Sequence, residues 1–549
     1  MTNQSRRSFL QGSIVGAAAL ASASVVQAAP RSKVPAKWDE TVDVIVVGSG
    51  FAGLAAAIEA RKAGAKVVVL EKMPTPGGNS IINGGILTAT GCPQQLKHGI
   101  KDSVDLLAQD ILVAGAYLND PAKVRVLAEH ALSNYEWTVK ELGVEYNLDA
   151  IGQEGGHSVP RYVFTKNGSG SGIVRKELDK CKELGVEVRL RAYVEHIIRD
   201  DKGRVVGLEV REGYRFPKKD SGKVKFIAAR KGVVLCYGGF SADVKFRQMH
   251  DPKLTDKFST TNQPGATGEL WRETYNIGCA QIQNDWIQCG PWSNPKEKGM
   301  GIGWTFTQSA AAEYGLWVNT KGQRFVNELA NRKVRADAIF AEEAKGLKAV
   351  AIANQYGADK LEAARPGIMK KLVEPNIVSK YDTLEALAKD FNIPLDELKK
   401  TLAQVNESAK TKNDKPFGRY INNEFKPLTE GPWYAAITSP KVHHCMGGLL
   451  TNMKGQVLDI MDQEPIPGLY AAGEATGGIH GAVRLGSCAI LDCLVNGRIC
   501  GQEVAKEPLL LKSRRETAGG LRAARLRFGL RAPHVGIFPR LQARHVLID

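Results

Sequence analysis

The clearest alternation of apolar and polar positions lies between residues 42 and 71. Val42-Asp43-Val44-Ile45-Val46-Val47 is an almost unbroken apolar run, the pattern of a strand buried on both faces of a parallel sheet. Gly48-Ser49-Gly50-Phe51-Ala52-Gly53 follows, and Leu54-Ala55-Ala56-Ala57-Ile58-Glu59-Ala60 then predicts a helix closed by Gly64. Lys66-Val67-Val68-Val69-Leu70 predicts a second strand ending on Glu71. Far along the chain, Pro467-Gly468-Leu469-Tyr470-Ala471-Ala472-Gly473-Glu474 predicts a strand entering a glycine turn, and Leu491–Ala505 a long helix.

Strand, glycine turn, helix and second strand in this order form the dinucleotide-binding βαβ unit. Gly48 allows the tight turn, Gly50 lets the backbone approach a pyrophosphate, and Gly53 lets helix and strand pack closely. Phe51 and Ala52 lie in this turn as further cofactor contacts, and the N-terminus of the helix that follows faces the phosphates. Glu71, at the end of the second strand, is placed to accept hydrogen bonds from the adenosine ribose hydroxyls, with Lys72 beside it. The pattern alone does not separate NAD from FAD. Two small-residue segments past the second strand, Gly77-Gly78-Asn79-Ser80 and Gly84-Gly85, favour the longer flavin dinucleotide, as does the late segment ending at Glu474.

Composition narrows the class. The chain has 549 residues, 43% hydrophobic and 24% charged, which excludes collagen, a coiled coil and a largely disordered protein. Nine cysteines occur without a CxxC pair, so no covalent c-type haem or four-cysteine zinc site is encoded, and no metal site is expected. The net charge of +16 sits largely at the ends: residues 512–549 hold nine Lys or Arg against Glu516 and Asp549. The body lacks the alternating aromatic and basic residues of a nucleic-acid platform, so nucleic acid is not an expected partner. Residues 1–29 read as a twin-arginine export signal: Ser5-Arg6-Arg7-Ser8-Phe9-Leu10, a short run of small apolar residues, then Gln27-Ala28-Ala29-Pro30. The run is too short and too rich in Ala, Gly and Ser for a membrane anchor. The expected compartment is the bacterial periplasm, with no transmembrane segment in the mature protein and the cofactor loaded before export. Residues 508–549 are predicted as a basic, poorly ordered extension with no assigned function.

From about Val42 to Lys506 the chain resembles the soluble periplasmic flavoprotein fumarate reductases, relatives of the succinate dehydrogenase flavoproteins. The resemblance rests on Val442-His443-His444-Cys445-Met446-Gly447-Gly448 and on Gly473-Glu474 through Arg484-Leu485-Gly486. Gly238-Gly239-Phe240, Gly265-Ala266-Thr267-Gly268 and Arg324-Phe325-Val326-Asn327-Glu328 with Arg332 add to it. It implies an α/β fold: a Rossmann-like FAD-binding domain over 39–286 and 445–507, interrupted by a smaller α+β capping domain over 287–444. The substrate would lie between cap and flavin, where closure excludes water. Gly238 and Gly239 would join the cofactor contacts. So would Ala489 and Ile490, at a helix N-terminus whose partial positive charge would stabilise the anionic reduced flavin. His444 and Arg484 would grip a substrate carboxylate, with Thr307 as a further substrate contact. Arg332 would protonate the substrate α-carbon, a role carried by the resemblance because arginine is a reluctant acid.

The chain departs from that family in four places. Where the family has Thr-Glu-x-x-Arg to relay protons, Thr307 remains but Gln308 and Ala311 replace the two ionisable groups. No histidine occurs around Gln288-Cys289-Gly290-Pro291-Trp292 to grip a second carboxylate, and Val483, Ser487 and Cys488 replace the usual Asn and Gly residues. Asn79-Ser80 replaces the histidine-bearing motif of covalently flavinylated relatives, implying non-covalent FAD. The expected substrate therefore has one carboxylate and a neutral or aromatic remainder, with Trp292, Trp304, Tyr314 or Trp317 as wall residues. The expected activity is hydride transfer from reduced flavin N5 to the activated double bond of an α,β-unsaturated carboxylate other than fumarate, as a respiratory electron sink. Electrons would arrive from a separate periplasmic protein such as a c-type cytochrome. The rivals are a dehydrogenase or oxidase running in reverse, and an electron-transfer flavoprotein without substrate chemistry.

Overall fold

The computed structural model describes residues 33–510, so the expected export signal and nearly all of the basic extension lie outside the described residues. The first unit is strand β1 (Glu40–Val47), helix α1 (Phe51–Lys62) and strand β2 (Val67–Glu71). The helix starts at Phe51 rather than at Leu54: Gly50, in extended backbone, is its N-cap, so the glycine motif itself supplies the first turn. Four further strands of the same sheet come later: β3 (Glu187–Leu190), β4 (Ala192–Arg199), β5 (Val205–Glu212) and the long β6 (Lys223–Leu235). Next come β7 (Ile287–Gly290), β8 (Leu316–Asn319), helix α2 (Arg332–Glu343), β9 (Ala349–Asn354), β10 (Ser379–Tyr381), β11 (Trp433–Thr438) and β12 (Lys441–Cys445). The chain then returns through β13 (Gln456–Leu458), β14 (Pro465–Ala471) and helix α3 (Cys488–Lys506).

The large sheet runs β13-β14-β6-β1-β2-β3. From β14 to β3 every pairing is parallel. The first half of β6 instead pairs antiparallel with β5, which pairs with β4. Alternation along β1 and β2 sorts their side chains between two cores. Val44, Val46, Val67 and Val69 pack with α1 and α3, while Ile45, Val47, Val68 and Leu70 pack under β4 to β6. Helix α3 lies directly on α1 because its contact face has no side chains at two positions. A Cβ on Gly497 would stand 2.4 Å from the Ala52 carbonyl oxygen, and one on Gly501 2.3 Å from that of Ala56.

A second sheet, β8-β9-β11-β10, is antiparallel throughout and has its own cores, one around Phe306, Trp317 and Ile339 and one around Val318, Leu398 and Val405. Between the two sheets runs a two-stranded ribbon, β7 against β12, in which Gln288 stands opposite His444. A buried ion network fixes the approach to α2. Arg324 pairs with Glu328 (2.7 Å) and Asp414 (2.8 Å), and Arg419 stands 3.3 Å from Glu328. Asn331 then caps α2 by accepting a hydrogen bond from the Val334 amide at 3.0 Å, which places Arg332 in the first helical turn.

Candidate active site

Two adjoining cavities occupy the junction of these elements. The first follows the β1–α1 turn and is lined by Gly48, Gly50, Phe51, Ala52, Glu71, Lys72, Gly78, Asn79, Ser80, Gly238, Gly239 and Glu474, among others. Its shape depends on missing side chains. Gly48 has φ +103°, and a Cβ there would lie 2.3 Å from the Cys236 carbonyl oxygen. Gly50 has no side chain to cap α1; Ser80 Oγ accepts from the Phe51 amide at 3.0 Å, and the next amides of the first turn are available to an anion. Glu71 Oε2 accepts hydrogen bonds from Ser49 N (3.2 Å) and Ser49 Oγ (2.7 Å), and Oε1 accepts from Met73 N at 2.9 Å. Its carboxylate is thus locked across the turn at the end of β2. These residues fit a dinucleotide with its pyrophosphate over the helix N-terminus.

Gly53, Gly77 and Gly85 line neither cavity and act from behind. Gly53 lets α1 touch the turn, Gly77 N donates to Ser49 Oγ at 2.9 Å, and a Cβ on Gly85 would strike Thr165 Oγ1 at 2.3 Å. Gly84, Ala489 and Ile490 line the second cavity instead.

That second cavity, about 140 Å³, shares Phe51, Asn79, Ser80, Glu474 and Cys493 with the first. It brings together Arg332, His444 and Arg484 with the walls Trp292, Trp304 and Met300. Tyr314, Trp317 and Thr307 are not among its lining residues. Thr307 sits in a buried π-helical segment, Phe306–Ala312, where its carbonyl accepts from Trp317 Nε1 at 3.2 Å.

Four lining or adjacent residues were given no role from the sequence: Glu154, Gln288, His443 and Asn262. Gln288 holds the two guanidinium groups together, its Oε1 accepting from Arg332 Nη1 (3.3 Å) and Arg484 Nη2 (3.2 Å) while its Nε2 donates to the Arg484 carbonyl at 2.9 Å. Arg332 Nη2 meets Glu154 Oε2 at 3.1 Å, and its guanidinium carbon lies 5.1 Å from the Trp292 ring centre. His443 Nδ1 is 2.7 Å from Thr261 Oγ1, and Asn262 Nδ2 donates to the His443 carbonyl at 2.8 Å.

Burial and like charge set the protonation states. Burial, then the positive field of Arg484, hold His444 well below the usual imidazole range, so it is neutral. Its Nδ1 is 3.5 Å from Glu474 Oε1, and its buried Nε2 has no partner among the described residues. Burial, reinforced by Arg332, lowers Arg484 to about 9. Burial pushes the Glu154 carboxyl up, but Arg332 and Arg335 outweigh it and hold the group below its ordinary value.

Burial raises Glu474 to about 7 against the pull of the Cys445 amide and Arg484. The folded state therefore holds this proton more tightly than the unfolded chain. The resulting stability is complete below about 4.5, the ordinary value, and is lost as pH rises through about 7. Glu474→Gln is expected to flatten that part of the pH–stability curve of the cofactor-free protein, measured by denaturant unfolding. An unchanged slope would show that Glu474 titrates normally.

A family described as "FAD binding domain" matches residues 43–490. An acrylate reductase flavoprotein subunit from Shewanella woodyi is 42% identical over 90% of this chain and 96% of its own length. A fumarate reductase (cytochrome) from Shewanella frigidimarina is 35% identical over 85% of this chain and 77% of its own. Among solved structures, the open conformation of a flavocytochrome c3 fumarate reductase superposes with a TM-score of 0.67 at 32% identity, covering 86% of this chain and 79% of that one. With the glycine cradle, the locked Glu71 and the arginine-lined cavity beside them, these likenesses establish that the chain belongs to the FAD-binding, fumarate-reductase-like flavoproteins, with FAD as its cofactor.

Proposed function

We propose that this flavoenzyme reduces the carbon–carbon double bond of a small α,β-unsaturated monocarboxylate of the acrylate type. The supporting observation is one cavity, sharing wall residues with the FAD cleft, in which Arg484, neutral His444 and Arg332 converge. Arg484 and His444 hold the carboxylate; an anion there relieves the repulsion between Arg484 and Arg332 and supplies the partner that His444 Nε2 lacks. β7 carries Gln288 and Gly290 but no histidine; Trp292, Trp304 and Met300 supply apolar wall, and the polar wall residues Asn262 and His443 are uncharged, burial holding His443 well below the usual imidazole range. A second carboxylate would be desolvated there without a cationic partner of its own.

Bound FAD, when reduced, supplies hydride to the substrate β-carbon. Arg332 delivers a proton to the α-carbon, while Arg484, His444 and the uncapped N-terminus of α3 stabilise the enolate-like charge that builds on the carboxylate side. The segment around the second sheet, 287–444, acts as the cap over this cavity. No histidine lines the first cavity, which favours non-covalent FAD. Export to the periplasm and electron supply by a separate c-type cytochrome fit the twin-arginine sequence and the cytochrome named in the relative from S. frigidimarina. Among the described residues no helix is long and apolar enough to cross a membrane. Disposal of respiratory electrons on an organic acceptor is the corresponding role.

The test is to reduce the purified flavoprotein anaerobically with a viologen dye and follow its reoxidation by fumarate, acrylate and aryl acrylates. Acrylate-type acids are expected to outpace fumarate by on the order of 100-fold, the scale of one unpaired buried charge. Equal rates with fumarate would overturn the monocarboxylate reading. Reoxidation by oxygen but by no acid would make the chain an oxidase.

A further inference from the structure

The proton that Arg332 gives away must be replaced. Gln308 and Ala311 cannot do it: Gln308 Oε1 accepts from Arg335 Nη1 at 2.7 Å and Ala311 is fully buried. Glu154 is the ionisable carboxyl in contact with Arg332, Oε2 to Nη2 at 3.1 Å. It is only 3% exposed. Its other oxygen, Oε1, stands 3.7 Å from Arg335 Nη2 and has no hydrogen-bond partner among the described residues.

Two features distinguish this carboxyl from a plain counter-ion. Room has been made for it, since a Cβ on Gly486 would lie 2.2 Å from Glu154 Cγ. It also stands between two cavities. One is the substrate cavity; the other, about 220 Å³, lies behind it and is lined by Gln153, His157, Ser158, Asn327 and Tyr420. Tyr420 is 59% exposed, so the rear cavity opens toward solvent at that side chain.

We propose that Glu154 is the relay that carries protons from the rear cavity to Arg332. The proposal rests on the enoate-reductase reading above. When Arg332 protonates the substrate, an Nη–H bond breaks, a C–H bond forms at the α-carbon, and the guanidine is left neutral. Loss of that neighbouring positive charge raises the proton affinity of Glu154. Its carboxylate takes a proton from water or buffer in the rear cavity and passes it to the guanidine, which restores Arg332 as a cation and Glu154 as its anion. The electrons for the reaction come from the reduced flavin; the relay moves only protons.

A relay is dispensable for the first turnover and indispensable for the next. Glu154→Asp keeps the counter-charge beside Arg332 but draws the carboxylate back from it, and Glu154→Gln removes the ionisable group. In both, prereduced enzyme mixed with acrylate is expected to lose far less of its first-turnover rate than of its steady-state rate, because Arg332 enters the first turnover already protonated. Steady-state turnover is expected to fall about 100-fold, the scale of a lost proton-transfer group. FAD content is expected to stay near that of wild type, and neither variant is expected to lose its affinity for propionate, the saturated product. Wild-type steady-state rates in both variants would overturn the relay. Parallel loss of first turnover, steady state and propionate binding would overturn it too, making Glu154 a positioning residue. A wild-type protein that reduces no enoate would sink the proposed reaction and the relay together, whereas normal wild-type turnover with indifferent variants sinks the relay alone.

Discussion

Arg332→Ala is expected to lower enoate turnover by about a thousandfold, within the range of a removed general acid, and to destabilise the fold as well. Arg332 Nη2 holds Glu154 Oε2 at 3.1 Å, while the other guanidinium near Glu154, on Arg335, stands off at 3.7 Å. Alanine would leave a buried carboxylate largely unpaired, at a cost of about 3–5 kcal/mol. The double variant Arg332→Ala/Glu154→Ala should recover most of that stability without recovering turnover. Denaturant midpoints and steady-state rates on the four proteins of the cycle separate the two effects. Full activity of Arg332→Ala with a physiological donor would remove Arg332 from the chemistry and leave an electron-transfer flavoprotein as the better description.

Gly53→Ala is expected to abolish stable FAD binding. The new Cβ would lie 1.9 Å from the Gly48 carbonyl oxygen, 3.0 Å from its carbonyl carbon and 3.3 Å from Val46 Cγ1. The nearest atoms belong to backbone, which cannot swing aside, so α1 must move off β1 and carry the pyrophosphate cradle with it. Overpacking of this kind costs about 1–3 kcal/mol in stability. Because the cradle itself is displaced, the purified protein should lose its flavin absorbance on gel filtration. Gly64→Ala is the control: Gly64 has φ +90° but no atom within 4 Å of the added carbon, so only backbone strain is added and the flavin should remain. Retention of FAD by Gly53→Ala would show that the turn has slack that its geometry denies.

These cases show why some of the site could be read from the sequence. The β1–α1–β2 unit was legible because its chemistry is local: the glycines, the apolar strands and Glu71 lie within one short segment, and each works through its immediate neighbours. Arg332, His444 and Arg484 are separated in the chain and became readable only through a family pattern. Glu154 carries no comparable signal. It is a lone acid among glycines, Gly152 to Gly156, and acquires meaning only when the fold sets it against Arg332, 178 positions away. Gln288 was seen as a missing histidine rather than as the group that bridges two guanidinium ions. The boundaries of both site helices were also displaced, to Phe51 and to Cys488, because glycine and left-handed backbone at Ser487 (φ 60°) decide where the first turn forms. Apolar periodicity does not register either effect.

The order in which the cofactor platform is assembled has a consequence for biosynthesis. β1, α1 and β2 are complete by residue 71, yet β14, which flanks β6, begins only at residue 465, and α3, which covers the alanine face of α1, ends at residue 506. Glu474, Ala489, Ile490 and Cys493, which line the cavities, emerge from the ribosome in that last stretch. A nascent chain therefore carries the phosphate turn for most of its synthesis with one wall of the cleft still untranslated. FAD can therefore be captured stably only once the segment through α3 has been made, and a premature stop anywhere before α3 yields a chain that cannot become a flavoprotein, however intact its N-terminal dinucleotide motif.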